Sequence, residues 1–260
     1  MLLAIDIGNT NIVLGVWDGE EWLTQWRLRT VRNRTIDELG IYLRSLVRDT
    51  VSISKLDRIV LASVVPKLTS TVQQACERYL KLTPILVTSE LDLGIRNETD
   101  VPTLVGADRL ANAAAAYHIA PAKTAVIVID MGTATKLDVV TSDGRFLGGI
   151  ISPGLGITSD ALFSRAAKLS QVELLPPPTV IGRNTVHAIQ SGLVNGYAAM
   201  IEGLVPRLIR EIKEMDPQAE TVHVVGTGGL ITIIESVTSV LNAVDPWLTL
   251  KGLQLIADRN

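Results

Sequence analysis

The sequence contains one cysteine, few aromatic residues and no long uninterrupted apolar run. Cys76 has no second cysteine with which to form an internal disulfide, which is typical of the reducing cytosol. No segment reaches the ~18 apolar residues that a membrane span requires, and no charged-then-apolar leader precedes Leu2. We therefore expect a soluble, cytoplasmic protein that acts away from membranes.

Several catalytic and binding signatures are also missing. The chain has no GxxxxGK[ST] phosphate-binding loop, no GxGxxG after its first strand and no protein-kinase catalytic-loop motif. Its three histidines are scattered without metal-ligand spacing, so a zinc site is not expected. A net charge of −3 gives no support to a nucleic-acid surface, and the four arginines between residues 27 and 34 are interpreted as a solvated strand end and turn.

What is present is an aliphatic α/β composition in a chain of 260 residues. Hydrophobic residues make up 47% of the sequence but aromatic residues only 4%, which favours Val/Ile/Leu strands covered by Ala-rich helices. This length suits one large domain or two modest ones.

A short motif occurs twice and suggests duplication. The apolar run that ends in Asp6 is followed by Gly-Asn-Thr-Asn, and the run that ends in Asp130 is followed by Met-Gly-Thr-Ala-Thr. A second apolar run and an Asp-Gly turn follow each copy, at Asp18 and at Asp143, so that the offset is 124 residues for the loops and 125 for the turns. We therefore predict two related domains, residues 1–118 and 119–260, each presenting one loop of Gly, Thr and Asn after a strand.

Periodicity and turn residues predict the main elements. The predicted strands are 2–7, 11–17, 22–29, 58–65, 84–89, 124–130, 136–141, 145–151 and 221–225. The predicted helices are 35–48, 68–82, 106–120, one near 158–167, a long pattern over 184–215 with a break near Pro206, and a closing helix over 245–258. Gly192, Gly196, Ala199 and Gly203 form a bare stripe that either packs inside its own domain or meets the same stripe of a second copy; we expect a homodimer.

Three carboxylates stand at strand ends or helix starts: Asp6, Asp108 and Asp130. An Asp at a helix start is often only an N-cap, and for Asp108 in isolation that is the preferred interpretation. Taken together with the Gly/Thr/Asn loops, the set suits phosphoryl transfer, which depends mainly on positioning and on neutralising phosphate charge. One carboxylate can accept the proton of an attacking hydroxyl while others hold cations.

Longer motifs carry a resemblance to a known family. They are GADR at 106–109, DMGTATKLD at 130–138, GGIISPG at 148–154, IGRNTVHAIQSG at 181–192, GYAAMIEGLV at 196–205 and DPWLTLKGL at 245–253. With DIGNTN as first phosphate loop and GTGG at 226–229 as adenosine loop, the chain resembles the type III pantothenate kinases of the acetate and sugar kinase/Hsp70/actin superfamily. The resemblance implies two duplicated ribonuclease H-like (actin-like ATPase) domains with a central cleft. It also implies the ATP-dependent phosphorylation of pantothenate to 4'-phosphopantothenate, the first step of coenzyme A biosynthesis.

The same resemblance implies roles for individual residues. Asp108 would be the proton acceptor, and Asp130 would bind a monovalent cation, K⁺ or NH₄⁺. Thr185 would contact pantothenate at a site completed by the dimer, and Asp6 would bind Mg²⁺ through water. The residues implied to line the ATP site are Asp6, Ile7, Gly8, Asn9, Thr10, Asn11, Ile12, Val13 and Thr133, and those implied to line the pantothenate site are Gly106, Ala107, Asp108 and Arg109.

Two positions depart from the family pattern, and two alternative functions stay open. Thr99 stands where the family usually has a pantothenate-contacting tyrosine, so that either this contact is lost or the loop is realigned. Lys136 replaces a usual threonine and could either approach phosphate or face solvent. The alternatives are a kinase of another small hydroxy acid and a nucleotide-binding transcriptional regulator; a regulator has no need of a proton acceptor.

Overall fold

The computed structural model describes residues 1–166 and 171–260, and the chain divides into two compact units. The first unit comprises Met1–His118 together with Trp247–Asn260, and the second comprises Ile119–Pro246. Residues 247–260, which the sequence analysis assigned to the second domain, therefore belong to the first unit, and the predicted division is corrected there.

The first unit is built on a mixed sheet. Its strands are β1 (Leu2–Ile7), β2 (Asn11–Trp17), β3 (Trp22–Arg29), β4 (Arg58–Ser63) and β5 (Ile85–Leu86), in the order β3-β2-β1-β4-β5. β1, β2 and β3 run antiparallel, whereas β4 is parallel to β1 and β5 to β4. The turn between β2 and β3 forms because the Asp18 carboxylate accepts two backbone N–H groups and Gly19 adopts a φ of 116°.

Four main helices accompany this sheet: α1 (Ile36–Arg48), α2 (Pro66–Ala75), α3 (Ala107–Ile119) and, from the end of the chain, α8 (Leu248–Arg259). Shorter elements are 3₁₀ turns at Ile53–Lys55 and Pro102–Leu104 and a two-residue strand, β6 (Arg96–Asn97). Thr35 and Glu38 cap α1 reciprocally, which explains why the helix begins where the sequence predicts. α2 ends earlier than predicted, because Cys76–Leu80 forms a π-helical turn.

The first core is aliphatic, and the only cysteine of the chain lies in it. The Cys76 side chain is fully buried, and its burial raises the pKa of the thiol to about 12. The thiol therefore stays protonated at neutral pH and is not available as a nucleophile.

Helix α8 packs on the sheet and on α3, which is the physical reason for the corrected division. It contacts β1, β2 and β4, and its apolar side chains Leu253 and Ile256 are fully buried. Gly252 lies so close to α3 that an ideal Cβ there would stand 1.9 Å from the carbonyl oxygen of Ala111. Because α8 follows the second unit in the chain, the sequence suggests that it belongs there. Its apolar face packs instead on the sheet of the first unit.

The second unit repeats the strand arrangement of the first. Its strands are β7 (Thr124–Met131), β8 (Ala134–Val140), β9 (Arg145–Pro153), β10 (Thr221–Thr227) and β11 (Ala243–Val244). Within this unit the strand neighbours run β9-β8-β7-β10-β11, with β7, β8 and β9 antiparallel and with β10 parallel to both β7 and β11. Since the two units share one strand order and one set of directions, the duplication inferred from the repeated motif is present in the fold.

The helices of the second unit are α4 (Leu155–Arg165), α5 (Thr185–Gln190), α6 (Gly196–Met215) and α7 (Ile231–Glu235). α4 begins before the helix predicted near 158–167, and residue 167 lies outside the described residues. The predicted break at Pro206 is wrong, because Pro206 lies inside α6 and the irregular stretch is a π-helical turn at Ser191–Asn195. The stripe of Gly192, Gly196, Ala199 and Gly203 is exposed, and an ideal Cβ on any of its glycines would meet no atom within 4 Å. The stripe therefore does not pack inside its own unit.

Over residues 1–166 and 171–260, no helix combines the length and the apolar character that crossing a bilayer requires.

Candidate active site at the strand ends

The first predicted phosphate loop is a tight turn between β1 and β2. The backbone N–H of Gly8 donates to the carbonyl oxygen of Asn11 at 2.9 Å. Thr30, just after β3, holds the turn from outside, because its hydroxyl donates to the Gly8 carbonyl at 2.7 Å and its N–H donates to the Thr10 carbonyl at 2.9 Å. Asn9 and Thr10 are left at the exposed tip, where a ligand can reach their amide, hydroxyl and backbone N–H groups.

The residues predicted to line the ATP site differ in what they can offer. Asp6, the next-to-last residue of β1, is half-buried, whereas the Ile7 and Ile12 side chains are buried in the core. Only the backbone of these two isoleucines is available to a ligand. Asn11 and Val13 are half-buried on β2.

The GADR motif lies at the same end of the first sheet. Val64 directly follows β4, and its N–H donates to the Ile7 carbonyl at 3.0 Å. An ideal Cβ on Gly106 would stand 3.3 Å from Val64 Cγ1 and 2.5 Å from Asp108 Oδ1. The start of α3 is therefore packed on the strand end from which the first loop leaves, and the position of Gly106 requires the absence of a side chain.

Asp108 is not the N-cap of α3. The Gly106 carbonyl accepts hydrogen bonds from the N–H groups of Arg109 at 3.0 Å and Leu110 at 3.2 Å, so Gly106 holds the cap position and Asp108 the first turn. Asp108 and Arg109 are half-buried, whereas the Ala107 side chain is buried. The capping explanation for Asp108 is thus removed, and its carboxylate is placed at the sheet end that also presents Asp6.

The second predicted phosphate loop joins β7 to β8. The Gly132 N–H donates to the Ala134 carbonyl at 3.1 Å, and Thr133 is exposed at the tip. Gly154, at the end of the GGIISPG motif, donates its N–H to the Thr133 carbonyl at 3.1 Å; an ideal Cβ on Gly154 would stand only 2.3 Å from that oxygen. Two motifs that lie apart in the sequence therefore form one rigid loop assembly.

The glycine-rich turn after β10 lies beside this loop. β10 is parallel to β7 with Thr227 opposite Asp130, so both strands end at the same edge. Gly228 has a φ of 94°, and an ideal Cβ there would stand 2.6 Å from Asp130 Oδ1. Ligands of open α/β sheets bind at such carboxyl ends of strands. Gly228 belongs to the GTGG turn that the resemblance implies to be the adenosine loop, and its contact with Asp130 is what the sequence alone could not provide.

The Lys136 side chain points towards Asp130, before the second predicted phosphate loop, and does not face solvent. It is the direct cross-strand partner of Asp130 in the β7–β8 ladder, and its Nζ lies 2.7 Å from Asp130 Oδ2. Both side chains are largely buried, at 13% and 14% exposure. An ammonium thus contacts Oδ2 of Asp130. A K⁺ or NH₄⁺ ion could not bind at that oxygen without displacing the lysine.

Thr185 lies apart from the strand ends, as the first residue of α5. This helix is capped by Asn184, whose Oδ1 accepts the His187 N–H at 2.9 Å. The Thr185 side chain is exposed, and α5 continues through the π-helical turn into the helix that carries the glycine stripe. Thr99, which replaces the expected tyrosine, donates its hydroxyl to Asn97 Oδ1 at 2.8 Å.

Comparison with solved structures supports the fold and nothing narrower. The chain matches a putative Baf family transcriptional activator from Campylobacter jejuni with a TM-score of 0.56 at 20% identity, covering 98% of this chain and 97% of that one. It matches component A of (R)-2-hydroxyglutaryl-CoA dehydratase from Acidaminococcus fermentans with a TM-score of 0.54 at 14% identity, covering 98% and 95%. Together with the repeated strand order, these matches identify an α/β fold of two duplicated ribonuclease H-like domains, as in the actin-like ATPases.

Comparison with sequence families is more specific. Residues 2–207 match the type III pantothenate kinase family. Proteins named type III pantothenate kinase from Roseiflexus sp. (strain RS-1) and from Myxococcus xanthus (strain DK1622) are each 44% identical over 261 aligned residues, covering all of this chain and 99% of the relative. The chain therefore belongs to the type III pantothenate kinase family.

Proposed function

We propose that this protein transfers the γ-phosphoryl group of ATP to pantothenate, which yields 4'-phosphopantothenate, the first intermediate of coenzyme A biosynthesis. The observation that carries the proposal is full-length identity of 44% to proteins named for this activity. The half-buried carboxylate of Asp108, in the first turn of a helix whose start approaches Val64 at the end of β4, supports it.

In the proposed reaction Asp108 accepts the proton of the terminal hydroxyl of pantothenate. The hydroxyl oxygen attacks the γ-phosphorus, the bond from phosphorus to the bridging oxygen breaks, and ADP leaves. Arg109, next in the first turn of α3, supplies a cation for the pantothenate carboxylate. Gly106 and Ala107 would contribute backbone rather than side chains, because one has none and the other is buried.

For the nucleotide, we propose phosphate contacts at the exposed tip of each loop, taken within its own unit. Asn9, Thr10 and Thr133 offer hydroxyl, amide and backbone N–H donors there. Asp6 offers a carboxylate that would hold hydrated Mg²⁺ through a water ligand of the ion. Bound Mg²⁺ would neutralise phosphate charge.

We further propose that the protein is a homodimer in which Thr185 contacts pantothenate. The exposed stripe of Gly192, Gly196, Ala199 and Gly203 supports this, since a bare helical face allows close approach of a second helix backbone. Thr185 begins the same helical segment, so a partner that covers the stripe would also approach Thr185.

The test is a turnover assay with the purified chain, ATP and Mg²⁺. ADP release should depend on added pantothenate, and mass spectrometry should detect phosphopantothenate as product. Another small hydroxy acid in place of pantothenate serves as control and should give only background release. ADP release that ignores pantothenate, or turnover only with the other acid, would contradict the proposal.

A further inference from the structure

The feature that the proposed function leaves unexplained is the ion pair of Asp130 with Lys136. Lys136 Nζ and Asp130 Oδ2 are 2.7 Å apart, within the range of a charge-assisted hydrogen bond between an ammonium and a carboxylate. The pair is built into the sheet, because the two residues face each other directly in the β7–β8 ladder and their side chains leave the same face. It is therefore a fixed element of the second loop.

This pair differs from a second lysine ion pair described in the same unit, that of Lys123 with Glu220. Lys123 Nζ lies 2.6 Å from Glu220 Oε1, but both of these side chains are exposed, at 68% and 65%. Lys136 and Asp130 keep only 13% and 14% of their side-chain surface. A charge pair withdrawn from water interacts much more strongly than an exposed one, and removing one partner leaves a costly buried charge.

The chemistry of the lysine head group matches the cation that the resemblance leads one to expect at Asp130. A lysine ammonium is an NH₄⁺ ion with one hydrogen replaced by an alkyl chain. Here it is tethered to the neighbouring strand and lies against one carboxylate oxygen. The local positive charge is supplied without the entropic cost of capturing an ion from solution.

We infer that the Lys136 ammonium is a built-in replacement for the monovalent cation at Asp130, so that this protein needs no K⁺ or NH₄⁺ for ATP use. Lys136 is a positioning residue in this scheme: it fixes the Asp130 carboxylate and the loop that ends in Thr133. The inference rests on the proposed function for its activity readout, and on the cation dependence of stability for an independent one.

The activity experiment compares chloride salts of K⁺, NH₄⁺, Na⁺ and tetramethylammonium at constant ionic strength. The wild type should phosphorylate pantothenate at the same rate in all four. Lys136→Thr, which opens space beside Asp130, should be about tenfold slower or worse in tetramethylammonium and should recover in K⁺ or NH₄⁺. Lys136→Met removes the charge but keeps the chain length that blocks an ion, so it should stay slow in every salt. Lys123→Thr is the matched control and should behave as wild type.

The stability experiment needs no turnover. The melting temperature of the wild type should not respond to K⁺ beyond the response to tetramethylammonium, whereas that of Lys136→Thr should rise specifically with K⁺. Activation or stabilisation of the wild type by K⁺ would overturn the inference, and so would a Lys136→Thr variant that K⁺ neither activates nor stabilises. Loss of ATP affinity in Lys136→Thr that K⁺ cannot restore would instead assign the lysine to phosphate. If pantothenate is not phosphorylated in any salt, the proposed function fails, and the melting series alone decides the role of Lys136.

Discussion

The proposed role of Asp108 as proton acceptor depends on its carboxylate, which an amide of the same shape cannot replace. Asp108→Asn keeps the shape of the side chain but cannot accept a proton, so we expect kcat to fall by about 10²–10⁴-fold while ATP affinity stays close to wild type. Steady-state kinetics with pantothenate and calorimetric titration with an ATP analogue measure the two quantities separately.

The control for this substitution is Asp49→Asn, which changes an exposed aspartate at the end of α1. It should leave both kcat and ATP affinity unchanged. If Asp108→Asn turned over at nearly the wild-type rate, another group would have to be the proton acceptor.

Single residues show where inference from the sequence reaches its limit. The family resemblance implies Asp6 through Val13 as one ligand-binding stretch, yet alternation along the strands turns the Ile7 and Ile12 side chains into the core. The partner of Lys136 could not be inferred either, because it depends on the register of β8 against β7. The sequence pattern identifies candidate residues, whereas the register of neighbouring strands decides which of their side chains contact each other.

At the scale of elements, the packing of α8 on α3 depends on Gly252, where an ideal Cβ would stand 1.9 Å from the Ala111 carbonyl oxygen. We expect Gly252→Ala to lower the free energy of unfolding by about 1–3 kcal/mol, since its methyl group would overlap the Ala111 carbonyl of α3 and push the helices apart. Urea unfolding followed by circular dichroism measures the change.

A matched glycine in α4 provides the comparison. An ideal Cβ on Gly156 would have its nearest neighbour at 3.9 Å, the Leu230 Cδ1 atom. Gly156→Ala should therefore be neutral or stabilising by up to about 1 kcal/mol, because alanine favours the helix. Equal effects of the two substitutions would show that helix propensity rather than packing governs both.

Most elements follow from local pattern, and the exceptions have a physical reason. The first three strands have the predicted bounds, because short apolar alternation and an Asp-Gly turn are local signals. The π-helical turns at Cys76–Leu80 and Ser191–Asn195 leave no comparable signal, since they preserve helical periodicity nearly unchanged. The placement of α8 was missed because it is a tertiary contact across more than half of the chain.

For the whole molecule, the exposed stripe on α6 makes the oligomeric state testable. Ala199→Glu places a charge in the middle of the stripe, and we expect it to convert the proposed dimer into a monomer, since like charges would face each other across a two-fold axis. Light scattering after gel filtration should report a mass near 28.0 kDa for this variant and twice that for the wild type.

Glu211→Lys on the same helix is the control. Glu211 is exposed but lies about a quarter of the helix circumference away from the stripe, so its substitution should leave the dimer intact. A wild type that already elutes as a monomer, or an Ala199→Glu dimer, would contradict the role of the stripe. If the dimer is as proposed, Ala199→Glu should also raise KM for pantothenate, because the contact of Thr185 with pantothenate depends on the dimer.

The return of α8 to the first unit has a consequence for how the chain is made. During translation the ribosome must synthesise all of residues 119–246 before the segment that covers β1 and β4 emerges. The nascent first unit therefore waits with an uncovered aliphatic surface while its successor is elongated, at about 5–20 residues per second. Vectorial folding, in which an early domain matures before a later one exists, is therefore closed to the first unit, whose last segment follows the second unit in the chain.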